Sequence, residues 1–533
     1  MIKYINNKIV KISALMLSIV VLSVSCDDFL DQQPISEIGP KNFWKNNTDA
    51  ASGVAAIYDG MQATYGDQYF LWGEFRADNF IQSSAASATQ NLSELVLQNL
   101  SDGNNSALRW NNLYNMINRA NQAIKNIPNI TAYDKNLLAE AYALRAFAYF
   151  DAVRVWGSVP LFIEPTEGTQ GIQKPRTDGT TIMNEVIIPD MLKAEQLMSN
   201  FSSDFRFSKA SILCMQAEVY MWLKDYAKAK KAIDKMIALG EHSLVKTVKD
   251  WENLFYNNLQ VAAVPDGQGK IQVGPELIFS IRYDLGEERD NPGQTFANRS
   301  GIMGLFFAGI PSFYISPVLE RKWQDKFPID SLGWVTKYPG VAPAVNKTVT
   351  YTDENGQLKD SLAPVYGDWR YFSCREGGYQ SFGSRGIGEA RMQKWNQTNY
   401  NRNYDDTDIV IYRYAGMLLL LAEAENQLGN SSVALNLVNQ VRAARQLPLV
   451  KSAEFGATID AREDYILEER QLELLGEGKR WWDLRRTDKA LEVLNPILDT
   501  IVGATQLTNE RLLFPVFIDH LIENPLLEQN SGY

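Results

Sequence analysis

The sequence is poor in the residue types from which many active sites are built. Its 533 residues include two histidines, His242 and His520, and three cysteines. So few histidines argue against a histidine-built metal site or a histidine-based catalytic triad, and three cysteines do not make a disulfide framework. Apolar residues make up 45% of the chain and aromatic residues 11%, which is enough to bury a substantial core.

Positive charge is also scarce. The formal net charge is −11, and it becomes −14 without Lys3, Lys8 and Lys11, because residues 1–25 contain these three lysines and no acidic residue. A general nucleic-acid binder needs a basic face that displaces counterions from the phosphates. The charge balance therefore predicts no nucleic-acid partner.

Only the N-terminus has a long apolar run. Residues 12–24, ISALMLSIVVLSV, follow the three lysines and are shorter than the roughly 20 residues that span a bilayer. Residues 1–25 are therefore predicted to be a signal peptide. Ser25 then precedes Cys26, which resembles bacterial lipoprotein signals, where the cysteine is acylated and begins the mature chain. Each methylene of an acyl chain that is buried in the bilayer would add about 0.8 kcal/mol to membrane binding. The alternative is an ordinary secretory cleavage site followed by an incidental cysteine.

Helical periodicity dominates residues 43–245. Thr131 and Asp134 form a capping-box-like start. Small and apolar side chains then recur at i, i+4, i+7 and i+11 from Leu137, which predicts one buried stripe. Gly157 is expected to end this helix.

An internal repeat indicates stacked helix pairs. AEVYMWLKDYAKAKKAIDKMI, beginning at Ala217, and AEAENQLGNSSVALNLVNQVR, beginning at Ala422, align at a constant offset of 205 residues. Small residues at a crossing and a short polar turn resemble a tetratricopeptide helix pair, which buries its apolar face only by stacking on others. Chance similarity between two amphipathic hairpins is the alternative.

Residues 255–408 interrupt the helical pattern. They are rich in Gly, Pro and aromatic residues, with strand-like runs at 276–283 (ELIFSIRY) and 347–353 (KTVTYTD). We expect a mixed, loop-rich insertion between helical parts at about 41–254 and 409–533, within a single domain 41–533 that follows a tether at 26–40. No cofactor is expected, although the carboxylates of NYDDTD (403–408) offer a weak calcium candidate without EF-hand spacing.

Several segments carry a family resemblance in the same order along the chain. They are CDDFLDQQP (26–34), AEAYALRAFAYFDAVRVWGSVPLF (139–162), YRYAGMLLLLAEAENQLGN (412–430) with LVNQVRAARQLP (437–448), ILEERQLELLGEGKRWWDLRR (466–486) and FPVFIDHLIENPLLEQNSGY (514–533). Together they resemble the SusD/RagB family of glycan-binding outer-membrane lipoproteins of Bacteroidetes. One departure is Gly416, where relatives often have an acidic residue at a scaffold position.

The resemblance implies a mostly α fold, in which four tetratricopeptide-like helix pairs form a scaffold and an irregular part carries the ligand surface. It implies a lipid anchor in the outer membrane, and the pair Asp27–Asp28 resembles a surface-export signal that places the protein on the exterior. The implied partner is a SusC-like TonB-dependent transporter, to which the lipoprotein delivers oligosaccharide without catalysis.

Other functions compete with this interpretation. Some relatives of the RagB kind capture peptides or another nutrient with the same architecture. A glycosidase needs two carboxylates at a defined separation, and no spacing in this sequence singles out such a pair. A purely structural helical adaptor would explain neither the anchor nor the aromatic loops.

Candidate ligand residues combine aromatic faces with planar hydrogen-bonding groups, as sugar recognition requires. In relatives, a segment like RADN lies near the glycan site. The candidates from segment 69–80 and the inserted region 283–335 are Trp72, Arg76, Asp78, Asn79, Tyr283 and Trp323. Core packing is the alternative for the aromatic residues, and capping of a turn is the alternative for Asp78.

Three further features are predicted to be scaffold. RWWDLRR (480–486) has the composition of an aromatic and basic nucleic-acid patch, but acidic residues surround it. We therefore expect its arginines to form an internal ionic network, with Trp481 and Trp482 in the core. YGDWRYF (366–372) is likewise assigned to the scaffold, and Cys214 to a buried position.

Overall fold

Helices form most of the described chain. The computed structural model describes residues 43–83, 91–199, 201–255, 272–283, 301–306, 310–377, 388–395 and 407–533. The predicted signal peptide, Cys26 and the tether lie outside these ranges. No helix within them is both long enough and apolar enough to cross a membrane.

The α-helices are α1 Asn47–Tyr65, α2 Gln68–Gly73, α3 Ser93–Val96, α4 Asn105–Leu108, α5 Asn111–Asn126, α6 Lys135–Trp156, α7 Gly179–Ile182, α8 Ile188–Leu197, α9 Lys209–Trp222, α10 Tyr226–Ala238, α11 Val248–Asn253, α12 Ile302–Phe306, α13 Pro317–Lys326, α14 Ser331–Lys337, α15 Trp369–Ser373, α16 Tyr414–Gln427, α17 Ser431–Ala444, α18 Ser452–Phe455, α19 Ile459–Glu473, α20 Arg480–Arg486, α21 Ala490–Leu498 and α22 Ile518–Glu523. Short 3₁₀ turns occur at Ile127–Asn129 and Asn509–Leu512, and a π turn at Met183–Ile187.

The strands are β1 Phe80–Gln82, β2 Val159–Pro160, β3 Arg176–Thr177, β4 Leu277–Ile281, β5 Phe313–Ile315, β6 Val345–Thr352, β7 Leu358–Val365, β8 Arg375–Gly377, β9 Ala390–Met392 and β10 Ile409–Arg413. Within the described residues they form two-stranded sheets, β1 with β5, β2 with β3, β4 with β10, β6 with β7 and β8 with β9. All of these pairs are antiparallel.

The helices pack in chain order. Among the described residues, α1 packs on α5, α6 on α8, α9 on α10 and α16 on α17, which makes four helix pairs. Each pair also contacts the next, through α5 with α6, α8 with α9 and α10 with α16. This stack confirms the mostly α, tetratricopeptide-like fold.

Helix α6 lies inside the stack. Its N-cap is Asp134, whose carboxylate accepts a hydrogen bond from Asn136 N at 2.8 Å. Thr131 lies before the N-cap residue, so its predicted role in a capping box was wrong, whereas Asp134 does cap the helix. The stripe from Leu137 is buried as predicted, and from residue 143 to Trp156 every residue is buried, because α5 and α8 both pack against α6. Gly157, at φ +76°, caps the end.

The repeat predicted from the sequence corresponds to two helical hairpins. Helices α9 and α16 begin at Lys209 and Tyr414, while α10 and α17 begin at Tyr226 and Ser431, so the offset of 205 residues is kept. Because α10 packs on α16, the second hairpin stacks directly on the first although 175 residues separate them in sequence.

The turn of each hairpin gives a test of this equivalence. Gly429 has φ +85°, and Lys224, at the equivalent position, has φ +58°. A Cβ at Gly429 would meet open space, so Gly429→Ala introduces no clash. The substitution should lower the free energy of unfolding by about 1 kcal/mol, because alanine is strained in the left-handed backbone conformation that glycine tolerates. Urea denaturation would measure this loss. Lys224→Ala is the matched control. Because Lys224 already adopts the left-handed conformation, this substitution should change the free energy of unfolding by less than about 0.5 kcal/mol. Equal losses in the two variants would contradict backbone strain as the cause.

The described parts of the inserted region contain regular secondary structure. Both predicted strand runs are confirmed as β4 and β6, and α13 and α14 are helices that the sequence reading did not anticipate. Strand β4 pairs with β10, with Ile281 opposite Ile409 and Leu277 opposite Arg413. The insertion is thereby tied to the second helical part, and one continuous hydrophobic core runs from Ala50 to Leu527.

Candidate functional site

The predicted ligand residues lie mostly inside the protein. Trp72, Arg76, Asn79, Tyr283 and Trp323 are each at most 2% exposed. As folded, none of them presents a flat face or a free donor to a ligand in solution. The structure therefore places these five residues in the scaffold rather than on an exposed aromatic platform.

Internal partners explain this burial. The Trp72 indole donates to the Ala107 carbonyl at 2.7 Å, and the Tyr283 hydroxyl donates to the Gln62 carbonyl at 2.9 Å. The Arg76 guanidinium lies over the Trp481 ring, 4.5 Å from its centroid. Arg76 also lies 4.8 Å from the Phe514 ring centroid and donates to Gln98 and to the carbonyl groups of Arg511, Leu512 and Leu513.

Segment 69–80 is clamped to the loop before α20. The Glu74 carboxylate accepts from the backbone N–H groups of Gly476 and Gly478 at 3.2 and 2.8 Å, and from the Asn79 amide at 2.6 Å. Burial raises the pKa of Glu74 to about 7. Gly73 lies so close to Gly478 that a Cβ there would overlap its carbonyl oxygen. The attachment of segment 69–80 to this loop thus depends on the close approach of Gly73 to Gly478 and on the buried carboxyl group of Glu74.

Asp78 is the one candidate with partial exposure. Its carboxylate pairs with Arg480, at 2.8 Å to Nε, and accepts from the Gln471 amide at 2.9 Å. Burial raises the pKa of Asp78, but Arg480, Lys322 and Gln471 together lower it by more, so the pKa lies below its usual value. Its role in ligand binding stays a prediction.

A buried ionic network lies where the inserted region meets the last helices. Glu473, at the end of α19, accepts from Arg370 at 2.6 Å, Arg413 at 2.7 Å and Arg445 at 2.8 Å, and all four side chains are at most 1% exposed. We call this set the arginine–glutamate network; its members are Arg370, Lys394, Arg413, Arg442, Arg445, Glu276, Asp368, Glu469, Glu473 and Glu477.

The scaffold assignment of RWWDLRR is confirmed. Trp481 and Trp482 are buried, and Asp483 accepts from Arg470 at 2.8 Å and pairs with Arg486. Two further predictions are also confirmed. In YGDWRYF (366–372), Trp369 and Arg370 are buried, and Cys214 is buried as well.

An open cleft lies beside this network. It is bounded by α13, α14, α17, α18 and α19, and it has a volume of about 560 Å³. Its basic lining residues are Arg321, Lys322, Lys326, Lys337 and Arg442. Its other lining residues are the acidic Asp325, Glu454 and Glu468, the aromatic Tyr338 and Tyr465, and the aliphatic Val318 and Leu449. We call it the cationic cleft.

Helix α13 presents opposite faces to the core and to the cleft. Leu319, Glu320 and Trp323 are buried, and the Trp323 indole donates to Asp368 Oδ2 at 2.9 Å. Arg321 and Lys322, on the other face, line the cleft. Trp323 therefore holds α13 in the core, and the cationic residues lie on the opposite face of the helix. Its role in ligand binding stays a prediction.

The floor of the cleft is shared with the network. Arg442 pairs with Glu469 at 3.3 Å and donates to the Tyr465 hydroxyl at 2.8 Å. The Lys326 ammonium lies 4.2 Å from the Tyr465 ring centroid and 3.1 Å from Glu468 Oε2. Burial lowers the pKa of Lys326. The Tyr338 hydroxyl donates to the Lys326 carbonyl at 2.6 Å, and burial raises the pKa of Tyr338 to about 12.

The described residues contain no group of three or more His, Cys, Asp or Glu side chains that could hold a metal ion. Most of the calcium candidate at 403–408 lies outside those ranges. Asp408, at its end, is buried and accepts from the Tyr283 N–H at 2.8 Å.

Sequence comparison identifies the family. A family model described as "SusD family" matches residues 275–533, and a second, described as "Starch-binding associating with outer membrane", matches residues 28–221. A SusD-like protein of Formosa agariphila is 43% identical over 519 residues, which is 96% of each chain. The chain belongs to the SusD family. A further SusD-like protein of the same organism is 23% identical over 96% of this chain and 97% of its own.

Solved SusD-family structures share the fold. A SusD-like protein of Bacteroides fragilis superposes with a TM-score of 0.67 at 18% identity, covering 94% of this chain and 100% of its own. A laminarin-binding SusD-like protein superposes with a TM-score of 0.65 at 20% identity, covering 92% of this chain and 100% of its own. The helix-pair stack is therefore the SusD-family architecture along almost its whole length.

Apart from the segment around Trp323, the sequence prediction for this SusD-family chain did not include the residues that line the cleft, because it selected tryptophan as the stacking residue. In KWQDK (322–326), tryptophan was chosen as the stacking residue, whereas helical periodicity sets Trp323 with Leu319 on the buried face. The opposite face, with Arg321 and Lys322, was the available signal. Tyr465 comes from a segment 140 residues away, and no local pattern places it there.

Proposed function

We propose that this chain is a cell-surface lipoprotein, anchored through acylated Cys26, that binds oligosaccharide or polysaccharide. It delivers the glycan to a SusC-like TonB-dependent transporter in the outer membrane and catalyses no reaction. The match of residues 28–221 to a family described as starch-binding and associating with the outer membrane carries this proposal. The proposed function requires no cofactor.

Two further observations support it. The apolar run before Cys26 has the length and flanking lysines of a signal peptide. The cationic cleft has the volume of a small-ligand site, for which about 300–1,000 Å³ is typical. Tyrosine rings with charged groups beside them are the kind of lining that binds a sugar.

Removal of the acylated cysteine tests the anchor. Cys26→Ala should move the protein out of the outer-membrane fraction of the cells, and Cys214→Ala, which changes a buried thiol, should leave it there. Protease added to intact cells should degrade the wild-type protein. Retention of Cys26→Ala in the membrane fraction, or survival of the wild-type protein on intact cells, would contradict the proposed location.

Calorimetry tests the ligand. The purified lipoprotein in detergent would be titrated with neutral and acidic polysaccharides, their oligosaccharides, and peptides. Binding to a glycan class without release of reducing sugar is the expected result. Binding to peptides alone would replace glycan capture with peptide capture, and release of reducing sugar would contradict a non-catalytic role.

A further inference from the structure

The charge of the cationic cleft is opposite to that of the whole protein. The chain carries a net charge of −11, yet five of the eight charged residues that line the cleft are basic. The cleft is thus a local positive site on an acidic protein, and such a site attracts anions over neutral ligands.

The rim of the cleft has cationic groups that a ligand can reach. Arg321 and Lys337 are exposed. Arg321 forms no ion pair with any residue that the structure describes. Lys337 Nζ donates to the backbone carbonyl of Asp325 at 2.6 Å. Because this carbonyl is neutral, it does not compensate the positive charge of Lys337. A guanidinium and an ammonium in these positions offer charge-assisted hydrogen bonds to carboxylate or sulfate oxygens.

The floor of the cleft supplies a buried cation. Within the described part of the chain, Lys326 Nζ forms the ion pair with Glu468 but no well-aligned hydrogen bond. The Lys326 Nζ atom is closed off from solvent, so it adds positive charge beneath the floor of the cleft. The cationic groups that a ligand can contact are therefore those of the rim.

The tyrosines make the site suitable for a sugar ring rather than for a simple anion. The hydroxyl groups of Tyr338 and Tyr465 are held by Lys326 and Arg442, which fixes their rings at the wall of the cleft. A ring face packs on the C–H face of a pyranose, while Asp325 and Glu454 can accept hydrogen bonds from its hydroxyls.

We propose that the cationic cleft binds acidic saccharides, whose carboxylate or sulfate groups pair with Arg321 and Lys337. This inference rests on the proposed glycan-binding function and names the ligand class of that function. Neutral glucans would then be poorer ligands of the cleft than uronic-acid or sulfated chains of the same length.

The test compares saccharides that differ only in charge. An oligogalacturonate would be paired with its carboxyl-reduced form, and a sulfated oligosaccharide with its desulfated form, in calorimetry on the full-length lipoprotein in detergent. We expect the acidic member of at least one pair to bind at least about tenfold more tightly. Raising the salt concentration should weaken the binding of that member and leave its neutral partner unchanged.

Charge-removing variants locate the site. The double variant Arg321→Gln/Lys337→Gln should weaken acidic-saccharide binding about tenfold or more, because two charge-assisted contacts are lost. Both side chains are exposed, so its melting temperature should stay close to that of the wild-type protein. The matched control Lys231→Gln removes an exposed lysine of α10 that does not line the cleft, and its affinity should equal that of the wild-type protein.

The outcomes separate this inference from the proposed function. Equal affinity within both pairs, or acidic binding that the double variant leaves intact, would overturn the acidic-saccharide site while glycan binding stands. Preferential binding of a polyglutamate peptide would also overturn it. If a folded protein bound no saccharide, acidic or neutral, the proposed function itself would fail.

Discussion

Replacing Glu473 with glutamine should lower the free energy of unfolding by about 3–5 kcal/mol, the cost of breaking a buried ion pair from one side. Glu473 accepts hydrogen bonds from Arg370, Arg413 and Arg445 in a place that water does not reach. The amide would leave three buried guanidinium groups with one negative charge fewer. Urea denaturation monitored by tryptophan fluorescence would measure the loss.

The control for this substitution lies on the same helix. Asp460 is an exposed carboxylate in the first turn of α19, so Asp460→Asn should change stability by at most about 1 kcal/mol, through the helix dipole. If the two variants were destabilised equally, Glu473 would be an ordinary helix residue, and the ionic network would contribute nothing specific to stability.

The stabilisation that Glu473 provides should depend on pH. Burial raises its pKa, but Arg445, Arg413 and Arg370 lower the pKa by more, so that it lies well below its usual value. A carboxyl group whose pKa is lowered by folding stabilises the protein above its unfolded-state pKa, about 4.3. This stabilisation is lost as the pH falls through the lowered pKa. The difference in stability between wild-type protein and Glu473→Gln should therefore be constant near pH 7 and should narrow below about pH 4.

Gly73→Ala should destabilise the protein by about 3 kcal/mol, at the upper end of the usual cost of overpacking. The new methyl group would overlap the carbonyl oxygen of Gly478 and lie 2.8 Å from the Trp482 indole nitrogen. Gly478 has φ +67° and is held by its N–H bond to Glu74, so the loop has little freedom to move away. Thermal unfolding followed by circular dichroism would measure the loss.

Gly168→Ala is the matched control for overpacking. A Cβ at Gly168 meets nothing within 4 Å, and its φ is outside the left-handed region. The substitution should be neutral or slightly stabilising, because alanine restricts the unfolded chain more than glycine does. A melting temperature for Gly73→Ala equal to that of Gly168→Ala would show that segment 69–80 is not clamped to the loop at Gly478.

Much of the fold follows from local sequence patterns. The stripe from Leu137 and the glycine at 157 predict α6, and the repeat at Ala217 and Ala422 predicts two stacked hairpins, because helix packing follows a period of 3.6 residues. The helices within the insertion were missed. Helix α13 has ten residues and α14 has seven, and they lie among Gly, Pro and aromatic residues that favour loops.

The candidate site could not be predicted in the same way. Trp72 and Trp323 are aromatic residues in segments rich in turn-forming or polar residues, and the sequence alone does not tell an exposed ring from one whose indole N–H binds inside the protein. Burial of these rings depends on Ala107 and Asp368, which are remote in sequence. The charged face of α13 is local, but Arg442 and Tyr465 reach the cleft only through tertiary packing.

The composition of the arginine–glutamate network constrains how this sequence can diverge. A lone change at Glu473 removes one carboxylate from three buried arginines, whereas simultaneous replacement of a buried ionic set by well-packed apolar residues can be neutral. Arg370, Arg413, Arg445 and Glu473 should therefore be retained or replaced together among related sequences. Arg370 and Glu473, which lie 103 residues apart in the chain, would then show correlated substitution together with Arg413 and Arg445.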